Sequence, residues 1–185
     1  MLICGNNPVG YYDTSGYNAE LCKGKGETQA KDSDHHKMYG EHSRDGEVLF
    51  DGDFISGSEG KKGKLNQQEA LLTHTERKFL NFVEDDLEPG DVLKMEGNLP
   101  PCRPGCQPAI RTTVAEKQVN VTYTASSNGY EYRWTPIDEK NTPLMNGDKT
   151  LKGSVIQQVY DSNGKQASSH RYWKTDNGRW KRAKY

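Results

Sequence analysis

His74, Glu76, Cys102 and Cys106 are the residues of this 185-residue chain whose types and spacing could do chemistry together. His74-Thr75-Glu76 is followed, about one helix and one strand later, by Pro101-Cys102-Arg103-Pro104-Gly105-Cys106. One imidazole and two thiolates suit zinc, and three protein ligands leave the fourth tetrahedral position open to water. Glu76 is too close to His74 to be a comfortable fourth ligand, but it can reach such a water, which is where a proton shuttle belongs. Each part also has a plainer explanation. Thr73-His74-Thr75-Glu76 reads as a helix capping box, and Cys-x3-Cys alone would serve as half of a structural zinc site or as a disulfide. The order of the two motifs, with Pro101 before the first cysteine, gives the combination its weight.

The elements that must position these residues follow from the hydrophobic pattern. Residues 18–45 are polar, acidic and glycine-containing and read as a linker, with His35, His36 and His42 as solvated loop residues. Val48-Leu49-Phe50 and Phe54-Ile55 flank Asp51-Gly52-Asp53 as a short hairpin. Leu65 to Leu87 has helical spacing, with Leu72, Phe79, Val83 and Leu87 on one stripe. Asp91 to Met95 reads as a strand and Gln107 to Lys117 as a helix whose Cys106, Ile110 and Val114 face inward. That places Cys106 at a helix start, where the dipole favours a thiolate, with Cys102 one turn away on the same face. Val119 to Ala125 and Tyr130 to Thr135 are strands joined through Asn128-Gly129, a connection short enough only for an antiparallel pair. Turns at Asn146-Gly147, Asn163-Gly164 and Asn177-Gly178 divide the remainder into a meander of Val155 to Tyr160, His170 to Lys174 and Arg179 to Arg182. The expectation is an α/β sandwich of helices on a mixed sheet.

Composition bounds the rest. Only 32% of residues are apolar, and the mean hydropathy is −0.99, so the core is small for the length. No apolar run approaches a membrane span, and Met1-Leu2-Ile3 begins no signal peptide, so a chain that is soluble and lacks its own export signal is expected. Four cysteines do not make a disulfide framework; Cys4 and Cys22 could pair or stay free. The net charge of −1 hides an asymmetry, about −6 over residues 1–60 and about +5 over the remainder. In the last stretch Lys165, Arg171, Lys174, Arg179, Lys181, Arg182 and Lys184 interleave with Tyr172, Trp173, Trp180 and Tyr185. Such a mixture suits a nucleic-acid backbone and stacked bases, which makes Trp173, Trp180, Lys181 and Arg182 candidate substrate-binding residues; a solvated hairpin packed on the sheet is the alternative.

The His-x-Glu and Pro-Cys…Cys pair, with strand–strand–helix–strand–helix–strand–strand order, resembles the cytidine-deaminase-like fold over roughly residues 47–135. The resemblance implies a three-layer sandwich with a mixed sheet and a C-terminal antiparallel hairpin or meander. The pair around Asn128-Gly129 resembles the hairpin branch to which many bacterial toxin deaminases belong. One departure is the three residues between Cys102 and Cys106, where the family usually has two. Carried over by position, His74, Cys102 and Cys106 would hold zinc and Glu76 would be the acid/base. Residues 4–17 resemble the end of the core repeat in Rhs/YD-repeat proteins, with Thr14 where that family usually has proline. The organisation this implies is an Rhs-core remnant and linker at 1–45 and a deaminase toxin domain at 46–185. The implied function is conversion of cytosine to uracil in single-stranded DNA, with double-stranded DNA, RNA or adenine as alternative substrates. A non-catalytic, zinc-stabilised interaction module is the competing class. A cognate immunity protein, delivery into the cytoplasm of a target bacterial cell and no membrane partner complete the expectation.

Overall fold

The computed structural model describes residues 36–57, 67–103, 105–137 and 153–185. Within them the chain folds as β1 (Lys37–Arg44), β2 (Glu47–Ile55), α1 (Gln67–Leu72), α2 (Thr75–Val83), β3 (Val92–Gly97), α3 (Cys106–Lys117), β4 (Asn120–Ala125), β5 (Tyr130–Pro136), β6 (Val155–Tyr160), β7 (Gln166–Lys174) and β8 (Trp180–Lys184). The strands form one eight-stranded mixed sheet in the order β2-β1-β3-β4-β5-β6-β7-β8. The expected α/β class and C-terminal meander are both present. α2 and α3 pack against the sheet, and α1 packs against α2.

Among the described strands, β3 and β4 make the parallel pair and the other neighbours run antiparallel. A parallel pair needs a crossover, and α3 provides it. The N-terminus of α3 therefore lies at the carboxyl end of β3, where open α/β sheets hold their ligands. The core lies between the helices and the inward residues of adjacent strands: Phe54, Met38, Leu93, Met95, Val121, Tyr123, Trp134 and Val155. Phe79, Leu80 and Val83 of α2 and Ile110 and Val114 of α3 close it from the other side. Phe54 and Phe79 meet at 5.4 Å between ring centroids, and Phe50 and Phe82 at 4.5 Å, an aromatic contact that docks α2 over β1 and β2.

Four readings need correction. The segment taken as a linker contains β1, so the sheet begins at or before Lys37 and the division at residue 45 cuts a hairpin. Its turn is Asp45-Gly46, with φ of 52° and 85°, the two positive values a type I′ turn requires. Asp51-Gly52-Asp53 is the interior of β2, where Gly52 pairs with Gly40. β1 escaped notice because its inward positions are Met38, Gly40 and His42, only one of them apolar. Gly40 is glycine because a Cβ there would stand 2.8 Å from the Phe79 ring. His42 is buried on β1 and bonded through Nε2 to Asp91 at 2.8 Å, so it is not a loop residue. Finally, the long helix is two helices broken at Thr73-His74, which leaves Leu72 exposed. Asn146-Gly147, Cys4, Cys22, His35 and the Rhs-like residues lie outside the described residues.

Candidate active site

The break between α1 and α2 frees His74. It is the N-cap of α2, with φ −74° and ψ 141°; its carbonyl accepts from Lys78 N–H at 3.0 Å, and its side chain makes no capping bond. Thr73 Oγ1 donates instead to Ala70 O at 2.8 Å, so the capping box is not formed. His74 Nδ1 stands 3.3 Å from Cys106 Sγ and 3.6 Å from Cys102 Sγ, and the two sulfurs are 3.3 Å apart, unbonded. Ligand bonds of zinc length would set tetrahedral edges of about 3.6 Å between N and S and about 3.8 Å between sulfurs. The three donors fit that triangle to within about half an ångström.

Cys102 lies before α3 and not on its face, which is how the extra residue in Cys-x3-Cys is absorbed. Its carbonyl accepts from Gln107 N–H at 3.0 Å, and its sulfur accepts from Cys106 N–H at 3.2 Å. Gly105 permits the approach: a Cβ there would stand 2.2 Å from Leu71 Cδ2 and 3.2 Å from Cys102 Sγ. The helix start does not by itself make Cys106 a thiolate. Burial, then the Glu76 carboxylate and Cys102, push its thiol far above the usual range. Three potential anions thus converge, Cys106 and Glu76 buried and Cys102 partly exposed, and such a donor set suits a cation.

Glu76 is 2% exposed, one residue into α2, and its Oε2 accepts from Thr75 Oγ1 at 3.2 Å and from Cys106 Sγ at 3.3 Å. The carboxylate therefore faces the cluster without belonging to it. Tyr123 approaches from β4, fully buried. Burial, Glu76 and Cys106 raise its phenol, which stays protonated and donates to Leu99 O at 2.6 Å. Sequence reasoning assigned no role to Tyr123 or His36 and named Asn98 only as the start of a loop, Asn98 to Pro101, that with Ser56 to Gly63 would read the substrate if the C-terminal meander did not. Tyr123, His36 and Asn98 meet at the same end of the sheet.

The structure does not gather the C-terminal candidates around this cluster. Trp173 and Lys181 pair on the face away from the helices. Trp180 packs partly against the core, beside Lys174, whose ammonium reaches Glu116 at 3.0 Å. Glu116 lies ten residues beyond Cys106 on α3, about 15 Å along the axis. Arg182 stands on the helix side, opposite Tyr172, whose ring carries the Arg111 guanidinium at 3.8 Å. Arg111 donates to Gln107 Oε1 at 3.0 Å, and Gln107 Nε2 donates to Pro101 O at 3.1 Å, so a buried polar chain links the meander to the residue before Cys102.

A mixed-sheet α/β domain with a His/Cys/Cys cluster at the starts of two helices and in the loop before the second, and a buried glutamate beside it, fits a deaminase. The chain belongs to the Pput2613-like deaminases, whose family model matches residues 27–143, more than half of the sequence. That match starts before β1 and ends beyond β5, leaving β6 to β8 outside it. No curated protein matches the chain.

Proposed function

We propose that this protein is a zinc-dependent deaminase that converts cytosine to uracil in single-stranded nucleic acid, with DNA as the substrate. The observation that carries the reading is the buried Glu76 carboxylate at 3.3 Å from Cys106, facing three soft-to-borderline donors within 4.8 Å of one another. His74, Cys102 and Cys106 would hold the metal. Zinc bound there supplies a Lewis-acidic open position at which water is acidified. Glu76 takes a proton from the attacking water as its oxygen adds to C4 of the base, and delivers that proton to N3. Glu76 then moves the proton of the new C4 hydroxyl to the 4-amino nitrogen, the C4–N bond breaks as the C4 carbonyl forms, and ammonia leaves, so cytosine and water give uracil and ammonia. The closed interior around Cys106 and Tyr123 keeps bulk water from competing for the carboxylate.

Single strands are favoured because a duplex base must be unstacked and unpaired before it can enter such a pocket, at a cost of a few kcal/mol. Arg182 and Lys184, on the helix side of β8, offer backbone charge to such a strand. The resemblance of residues 4–17 to an Rhs core supports a role as the toxin segment of a larger effector. That role carries with it delivery into a target bacterial cytoplasm and a cognate immunity protein in the producer. The test is incubation with single- and double-stranded DNA and RNA, with every C-to-U and A-to-inosine change read by sequencing. Changes concentrated at C in single-stranded DNA are expected; changes confined to RNA, duplex or adenine would reassign the substrate, and none at all would leave the zinc-stabilised interaction module.

A further inference from the structure

We propose that Asn98 contacts the substrate, its carboxamide held by His36 so that the free side of the amide bonds a polar atom of the target nucleotide. This rests on the deaminase reading above. Asn98 follows β3 and leads into the loop that ends at Cys102, and its backbone is tied on both sides: its N–H donates to Lys37 O at 3.4 Å and its carbonyl accepts from Ser127 N–H at 3.1 Å. Next to it, His36 N–H donates to Ser56 Oγ at 2.9 Å, Ser56 N–H donates to His36 O at 2.8 Å, and Gly57 N–H donates to Thr73 O at 3.1 Å, one residue from His74. The ends of β1, β2 and β3, the β4–β5 turn and the start of α2 are thereby knitted into one rim around the cluster.

On that rim the His36 ring spans two partners. Nδ1 meets Asn98 Oδ1, and Nε2 stands 3.3 Å from the Tyr123 hydroxyl, which itself donates to Leu99 O. The room for this arrangement comes from Gly97, where a Cβ would lie 2.1 Å from the Tyr123 oxygen and 2.9 Å from His36 Cε1. With one side of the carboxamide held by the imidazole, the exposed Asn98 presents the other side to solvent. An exposed carboxamide already held in place at this end of the sheet suits the polar atoms of a nucleotide, because the ordering of the side chain is completed before binding.

The test compares Asn98→Asp, which keeps the shape and replaces the amide, with the uncharged Asn98→Ala and with His36→Ala. Turnover of a cytosine-containing single-stranded oligonucleotide is followed together with its equilibrium binding by fluorescence anisotropy in a Glu76→Gln background. Both Asn98 variants should lose roughly three- to tenfold in kcat/KM, the span of one lost hydrogen bond. The loss should lie in KM and in binding, with Tm and zinc content unchanged, and His36→Ala should lose less. Wild-type affinity in Asn98→Asp and Asn98→Ala, or a loss that follows Tm or zinc content, overturns the proposal. Wild-type protein that binds the oligonucleotide but never deaminates it would sink the deaminase reading instead, and the binding arm would still decide Asn98.

Discussion

Glu76 is held by one hydroxyl and one thiol in a space closed to water, without the capping bond that its position in Thr73-x-x-Glu76 would otherwise suggest. A carboxylate buried at that cost is explained by what it faces. Glu76→Gln keeps the shape and removes the base, so deamination should fall on the order of a hundred- to ten-thousand-fold. Tm and zinc content should stay at wild-type values; near-normal turnover would leave Glu76 without its role. The four central residues were legible in the sequence because each motif is local and ligand chemistry is specific to residue type. The meeting of His36, Asn98 and Tyr123 was not, since their contacts join positions 62 and 87 residues apart and none has an unusual local pattern.

At the scale of elements, the sequence pattern found β3 to β8, split the single strand β2 into a hairpin and missed β1, and β1 shows what periodicity cannot see. Its inward glycine is dictated by an aromatic ring on another element, and its inward histidine by a hydrogen bond with the residue before β3. Asp91 is 1% exposed and receives Arg44 Nε at 2.8 Å, Glu88 N–H at 2.9 Å and His42 Nε2 at 2.8 Å. Arg44 first, then the Glu88 amide and His42, hold its carboxyl well below the usual carboxylate range. A group depressed in the folded state contributes stability that is complete above its unfolded value, about 3.9, and is lost as pH falls from there toward the folded value. Asp91→Asn should therefore lower Tm at neutral pH, by an amount corresponding to about 1–3 kcal/mol. The gap to wild type should narrow below about pH 4; a gap constant across acid pH would show that the ionised form is not what matters.

For the whole molecule, the Asn-Gly turns made the meander readable, but not the direction in which its side chains point. Face assignment depends on the register between β7 and β8, where Lys174 pairs with Trp180 and Trp173 with Lys181. Trp180 and Trp173 consequently fall on opposite faces, and Trp180 sits at the far end of α3. Trp180→Ala is expected to lower Tm while leaving kcat/KM on an oligonucleotide near the wild-type value, whereas Arg182→Ala should weaken binding in a salt-dependent way. Calorimetry and kinetics on the same preparations separate the two; loss of turnover in Trp180→Ala at unchanged Tm would return that ring to the substrate path.

The cluster has a mechanical side as well. His74 and Cys102 are 28 residues apart, and between them run all of α2 and β3. A metal gripping both ends fastens that segment as a cross-link would, and on the entropy scale of disulfides a loop of this size is worth about 3–4 kcal/mol. Chelation should therefore lower Tm and open α2 and β3 to proteolysis ahead of the β5–β7 strands, with re-addition of zinc restoring both. A clasp of this kind would make activity and folding one event: a chain unfolded between His74 and Cys102 would release the ion, and activity would return only where metal and refolding coincide.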